Sequence, residues 1–304
     1  MGIYSCSEHE SVQVQDSHAV MLENLKAFNN DFITKHPQSA ASQRGGFWGK
    51  VLQVAAVATG DLSGAAAGVW GVQKLAIAAG AATSGTGYAV VSAAGAVVGA
   101  AGGSYMAYCT VKPRACANNR GGMPELIEYE DRYDINFEIT NPKFVNLNEL
   151  GYLHNSILEE SYYGGISQKD WLTAKSISGT SYLLKTASED DSKSLMNTLF
   201  QSSELANVKS GISNAIGKYS QDDKFDYKVL LQSLLNDQLI NQNLYDVLDL
   251  FLNVYNKAES FEDFETIIKF YVAEIENSNL NDTEKEALLA AFSVAAKSPY
   301  FWTE

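Results

Sequence analysis

Proline, cysteine and histidine are scarce in this sequence. Its 304 residues include 5 prolines, 3 cysteines and 4 histidines. The few prolines leave long stretches free to form uninterrupted helices. The cysteines and histidines show no CxxC pair and no metal-ligand spacing. A Walker loop, a GxSxG or HExxH motif and a dinucleotide-binding glycine fingerprint are also missing. We therefore predict no metal, no cofactor and no enzymatic activity.

Charge is absent from the 37 residues between Leu75 and Val111 and is unevenly spread elsewhere. Up to Pro124 there are 8 Lys and Arg against 6 Asp and Glu, whereas from Glu125 onward there are 14 against 30. An acidic half repels nucleic-acid phosphates and anionic membrane surfaces. We therefore predict no nucleic-acid partner.

Six glycines recur at intervals of four residues. They form two series, Gly60, Gly64 and Gly68, and Gly95, Gly99 and Gly103. Four residues is about one helical turn, so each series clears a groove along one helix face. Glycine costs a soluble helix about 1 kcal/mol relative to alanine, and close backbone packing is the usual compensation. The pattern is a glycine zipper, and it predicts an antiparallel helical hairpin over residues 61–108.

Hydrophobic periodicity and capping residues predict an all-α protein. Asp61 is predicted to cap the helix that starts the hairpin. Only residues 134–140 alternate apolar and polar side chains, which indicates one short extended segment. The predicted helices are 17–36, 47–59, 61–82, 88–108, 147–162, a helix capped by Ser167, a helix from Ser188 to Phe200, 205–219, 227–235, 243–255, 260–275 and 282–297.

These elements predict three regions. Residues 1–16 are polar and form a flexible tether. Residues 17–124 carry the first helix and the glycine-zipper hairpin. Residues 125–304 form an acidic α-helical domain of six to eight helices that packs against the hairpin.

Three groups of residues are candidate sites. Cys109 and Cys116 flank a short turn and form either a disulfide or two free thiols. His154 lies on an apolar helix face. It is either a general base or ligand, or a buried histidine that is hydrogen-bonded to a carbonyl or carboxylate. The acidic series, which either binds a cation or is a solvated face, consists of Glu125, Glu128, Glu130 and Asp131.

The hairpin also has three possible environments. The uncharged stretch and small-residue spacing favour membrane insertion. Lys74 and the scarcity of Leu, Ile and Phe oppose it, because Ala, Gly, Ser and Thr gain little from hydrocarbon. The alternatives are a soluble hairpin covered by the C-terminal helices and a conditional, membrane-active state.

The N-terminal segment Ile3-Tyr4-Ser5-Cys6 resembles the end of a bacterial lipobox. With the glycine-zipper hairpin and the segment Gly151-Tyr152-Leu153-His154-Asn155, it resembles a group of uncharacterised Bacteroidota cell-envelope lipoproteins. The resemblance implies a lipid anchor on Cys6, a secretory signal upstream of Met1, an outer-membrane or surface location and an unknown protein partner. The leading hypothesis is a non-enzymatic interaction or structural module. The alternative is a bacteriocin-like or pore-forming protein that inserts the hairpin.

Overall fold

The computed structural model describes residues 17–36, 47–111, 135–163, 165–219, 226–258 and 260–302, which form twelve α-helices and no strand. The predicted all-α class is confirmed. The helices are α1 (Ser17–Lys35), α2 (Phe47–Gly71), α3 (Gln73–Ala82), α4 (Thr86–Val111), α5 (Leu150–Leu158), α6 (Gln168–Ser178), α7 (Glu189–Gln201), α8 (Ser203–Tyr219), α9 (Tyr227–Asn236), α10 (Gln242–Tyr255), α11 (Phe261–Asn277) and α12 (Asp282–Trp302).

Side-chain caps begin most of the surface helices. Ser167, Ser188 and Ser260 each accept a hydrogen bond from the backbone N–H three residues later. At α11 the bond is reciprocated, because the Asp263 carboxylate accepts from the Ser260 N–H. Such bonds satisfy amide donors that have no partner within the helix. Short local sequence therefore decides where these helices start.

The hairpin begins differently from the prediction. A break near Gly60 was predicted and is wrong, because α2 runs unbroken from Phe47 to Gly71. Asp61 lies inside this helix, where its carboxylate accepts hydrogen bonds from other helices rather than capping its own. The chain instead bends by 51° at Val72, between α2 and α3. Gly71 precedes this bend and lacks the side chain that would collide with Val208.

The α2–α4 pair lies at the centre of the molecule. α3 extends the hairpin along α4, and α12 packs along the length of α2. α5, α8, α9 and α10 also contact the pair, and α11 packs against α10 and α12. Buried apolar side chains form one cluster that extends from Met21 to Ala296. The predicted boundary between residues 124 and 125 lies outside the described residues.

Two other predicted elements, the helices 147–162 and 282–297, differ in the structure. The predicted extended segment is neither helix nor strand in its described part, residues 135–140, and Ile135 and Ile139 are buried there. The predicted helix 147–162 is divided into a 3₁₀ turn (Val145–Glu149), α5 and a π-helical turn (Glu159–Tyr163). At the C-terminus, α12 continues beyond Lys297 to Trp302, so that Ser298 faces the core.

Candidate functional site

The glycines of the two series face one another in antiparallel order across α2 and α4. Gly60 lies against Gly103, Gly64 against Gly99 and Gly68 against Gly95. A Cβ atom on Gly60 would lie only 2.7 Å from the carbonyl oxygen of Gly103, and the other pairs are closer still. The obstacle in each pair is backbone, which cannot rotate away. Glycine therefore allows the two helices to approach at three successive turns.

A polar network lies at the end of this glycine contact. The Asp61 carboxylate accepts hydrogen bonds from the hydroxyl groups of Ser104 on α4 and Ser298 on α12. All three side chains are buried, with no solvent-exposed surface. The network thus joins α2, α4 and α12 within the apolar core.

His154 extends the network to α5. Its Nε2 lies 2.8 Å from the Ser104 hydroxyl and 3.7 Å from Oδ1 of Asp61, and its Nδ1 lies 3.0 Å from Oδ1 of Asn155. His154 is fully buried. Burial lowers its pKa to about 4, and the hydrogen bond to Asn155 offsets part of that effect. Its partners are a serine hydroxyl and an asparagine amide, with the carboxylate beyond hydrogen-bond distance.

The Asp61–Ser104–His154 arrangement contains residue types used in nucleophilic catalysis, but its geometry is different. Ser104 lies between the acid and the imidazole, whereas a catalytic triad places the imidazole between the acid and the nucleophile. Cavities of about 650 and 520 Å³ in the described part of the protein are lined by other residues. The Ser104 side chain is itself buried, with no solvent-exposed surface.

A second buried carboxylate joins α4 to α12. Glu286 accepts a hydrogen bond from Tyr88 at 2.6 Å and another from Ser92 at 2.7 Å. Burial raises the pKa of Glu286 above its usual value, and the two hydroxyl donors counteract part of that rise. Both buried carboxylates thus attach the glycine-rich helix pair to the same covering helix.

Glu286→Gln tests the protonation of this second contact. A raised pKa means that folded protein binds the Glu286 proton more tightly than unfolded protein does. We expect the free energy of unfolding of the wild type, relative to Glu286→Gln, to fall as the pH rises above 4.5 and then level off. Urea unfolding of both proteins between pH 4 and 8 measures the difference between their free energies of unfolding. The contributions of all unaltered groups cancel in this difference. A pH-independent difference contradicts the assignment.

An exposed apolar surface lies on the acidic half of the chain. Five of the seven large exposed apolar side chains in the described residues fall between positions 145 and 182. Three of them lie near Glu149 in the chain or contact it. Val145 and Tyr152 lie four residues before and three residues after Glu149, and the Glu149 carboxylate accepts a hydrogen bond from the Tyr182 backbone N–H. Tyr182 is 82% exposed and Tyr152 is 56% exposed. We call these three residues the tyrosine surface.

Most of the other predicted site residues lie outside the part of the chain that the structure describes. Cys6, Cys116 and the acidic series 125–131 lie outside the described residues, so the lipidation, the disulfide and the cation hypothesis stay predictions. Cys109 lies near the end of α4. The described residues contain no group of three or more His, Cys, Asp or Glu side chains suited to a metal ion.

Sequence reasoning missed most of the polar network. Asp61 was predicted as a cap, and Asn155 was not predicted as a partner of His154. Ser104, Ser298 and Glu286 were not singled out. The available signal was a lone acidic residue, Asp61, between two members of a glycine series, a position that a close helix contact buries.

Comparisons of the chain with protein-family models, curated proteins and solved structures find no match. The fold and site define a structural class only. It is an all-α bundle that encloses a close pair of glycine-rich helices and attaches them to the covering helices through buried carboxylates.

Proposed function

We propose that this protein is a non-enzymatic cell-envelope lipoprotein that acts as a protein-interaction module. The observation that carries the proposal is the tyrosine surface on the acidic half. Tyrosine is enriched at protein interfaces, because its ring supplies apolar contact area and its hydroxyl group tolerates water. The glycine-zipper core supplies a rigid base for this surface.

The burial of the polar network supports a binding role over catalysis. His154, Ser104 and Asp61 have no exposed surface, and the described cavities lie elsewhere. A general base or a nucleophile must come within hydrogen-bond distance of a substrate. The network is therefore assigned to the stability of the helix pair.

Photocrosslinking tests the interaction role. A photoreactive phenylalanine analogue is placed at Tyr152 or Tyr182, and cells that produce the protein are irradiated. The matched control carries the analogue at Ile77, which is 55% exposed but lies on α3. We expect a discrete adduct with one protein from both tyrosine positions and none from Ile77. Adducts of equal yield at all three positions, or none at any, contradict the proposal.

The lipid anchor is tested separately. The lipobox-like sequence around Cys6 supports the anchor, which would hold the binding surface at the membrane. Mass spectrometry of the N-terminal peptide from native cells is expected to show an acylated cysteine. Unmodified Cys6 in the full-length product rules out the tether and leaves the interaction role to the crosslinking result.

A second candidate is a membrane-active protein that inserts the hairpin. The segment Thr86–Thr110 is long and apolar enough to cross a membrane, and 78% of its most apolar window is buried inside the bundle. The bent pair Val57–Gly71 and Gln73–Ala82 passes the same test together. A soluble protein that stores a membrane hairpin must enclose it in this way, although ordinary core helices share these properties.

Dye release from anionic lipid vesicles discriminates between the two candidates. A hairpin that inserts must release dye at some pH between 4 and 9, and release must depend on protein concentration. Intact vesicles over the whole range exclude the membrane-active candidate and leave the interaction module.

A further inference from the structure

The contacts from Asp61 through Ser104 to His154 need more hydrogen atoms than Ser104 can supply. The Ser104 oxygen is within hydrogen-bond distance of Oδ1 of Asp61 and lies 2.8 Å from Nε2 of His154. Each of these two contacts requires one hydrogen atom, and a serine hydroxyl carries one. The second must come from the Asp61 carboxyl group or from Nε2.

The orientation of Asn155 decides which imidazole nitrogen is already protonated. Asn155 donates from Nδ2 to the carbonyl oxygen of Lys297 at 2.9 Å. This bond turns the amide oxygen of Asn155 toward Nδ1 of His154, at 3.0 Å. Because that oxygen can only accept, Nδ1 carries a hydrogen atom. In a neutral imidazole Nε2 is then a bare acceptor.

We propose that Asp61 and His154 together retain one shared proton in the folded protein at neutral pH, and that this proton fastens α2 and α4 to α5 and α12. With the proton on Asp61, the carboxyl donates to Ser104 and Ser104 donates to Nε2. With the proton on Nε2, the imidazolium donates to Ser104 and Ser104 donates to the carboxylate. Both arrangements give the pair a net charge of zero.

Loss of this proton leaves a negative charge in the core and one of the two contacts without a hydrogen atom. Both consequences are costly in a buried site. The lowered pKa of His154, about 4, agrees with the arrangement in which the imidazole is neutral. The geometry of the contacts requires the extra hydrogen atom in either arrangement.

The other titratable groups around the network do not replace the shared proton. Tyr255 on α10 is buried, and burial raises its pKa. Tyr108 lies one turn beyond Ser104 on α4 and is also buried. On α12, the Lys297 amine donates to the carbonyl oxygen of Ile135 at 3.3 Å. Neither Ser104 contact receives its hydrogen atom from these groups.

The proposal makes the bundle sensitive to alkali. Above pH 6.5 the unfolded chain has an ionised aspartate and a mostly neutral histidine, so folded protein holds about one proton more. Stability then falls as the pH rises, by about tenfold in the folding constant per pH unit. Between pH 4 and 6.5 both states hold one proton in this pair, and its contribution is flat.

Asp61→Asn provides the test, because an amide reproduces the shape and donor of a protonated carboxyl group. The variant's Nδ2 donates to Ser104 while its oxygen accepts from Ser298. We expect the folding constant of the wild type, divided by that of the variant, to fall about tenfold per pH unit between pH 5 and 8.5. Below pH 6.5 the ratio falls because the variant gains stability as its unfolded histidine loses a proton. Above pH 6.5 it falls because the wild type loses stability. Urea unfolding at each pH measures both constants. A ratio that is constant over this range overturns the proposal.

A control and a second measurement complete the design. Asp31→Asn alters an exposed carboxylate paired with Lys35. The folding constant of the wild type, divided by that of Asp31→Asn, should not fall about tenfold per pH unit. Should Asp61→Asn fail to fold, NMR of the wild type with labelled histidine and aspartate decides. We expect either a protonated Asp61 carboxyl or a doubly protonated His154 imidazole at pH 7. An ionised Asp61 together with a neutral His154 overturns the proposal.

Discussion

Replacing Gly99 with alanine is expected to lower the free energy of unfolding by about 3 kcal/mol or more, since overpacking commonly costs 1–3 kcal/mol and here the obstacle is backbone. The new Cβ would collide with the carbonyl oxygen of Gly64 and lie 3.1 Å from Cα of Gly68. Neither atom can move without separating α2 from α4. The loss is expected even though alanine favours a helix over glycine.

Gly102→Ala is the matched control, because it makes the same change on the same helix. A Cβ on Gly102 would meet no heavy atom within 4 Å, so the variant should gain up to about 1 kcal/mol from helix propensity. Chemical denaturation monitored by circular dichroism measures both variants. If Gly99→Ala proves as stable as Gly102→Ala, the close approach of the two helices is refuted.

Phe251→Ala is expected to cost about 4 kcal/mol, within the range of 3–5 kcal/mol for truncating a buried phenylalanine. Phe251 has no exposed surface and lies on α10. Its ring centroid is 5.1 Å from those of Tyr255 and Tyr271 and 4.5 Å from that of Phe292. The cluster joins α10, α11 and α12, so its loss loosens the covering helices from one another. Thermal and urea unfolding measure the change.

Tyr182→Ala is the matched aromatic truncation on the surface. Because Tyr182 is 82% exposed, its removal should change stability by no more than about 0.5 kcal/mol. Equal losses from Phe251→Ala and Tyr182→Ala would contradict the placement of both rings. The same Tyr182→Ala variant, with the photoreactive analogue at Tyr152, should lose most of the crosslinked adduct if the tyrosine surface binds a partner.

These variants separate stability from binding. Gly99→Ala and Phe251→Ala alter the core and should leave the surface chemistry unchanged in the fraction of molecules that stay folded. Tyr182→Ala alters the surface and should leave the core unchanged. A partner that is lost only with the core variants would place the interaction elsewhere on the bundle.

Much of the helical framework was predictable from local sequence. Ser167, Ser188 and Ser260 start their helices as predicted, because each cap is a bond to an amide three residues away. The spacing of the glycines placed Gly64 and Gly103 in helices by the same kind of reasoning, whereas Gly60 was predicted at a break. Because the helical repeat is 3.6 residues, residues four positions apart lie on nearly the same face of a helix.

The interior polar contacts were not predictable in the same way. Asp61 has the local context of a cap, yet it accepts hydrogen bonds from residues 43 and 237 positions away. Ser298 was expected beyond the end of the last helix, but it is buried on α12. No short window of sequence contains these partners together. Their pairing depends on how α12 crosses α2, which is set by the packing of the whole core.

Helix type, capping and the groove on each glycine-rich face follow from neighbouring residues, because backbone hydrogen bonds and caps form within one or two turns. Contacts between distant residues decide which glycine lies against which, where the chain bends at Val72, and that Asp61 is buried with His154. Only the assembled bundle removes water from that carboxylate and imidazole, and removal of water is what makes their protonation matter.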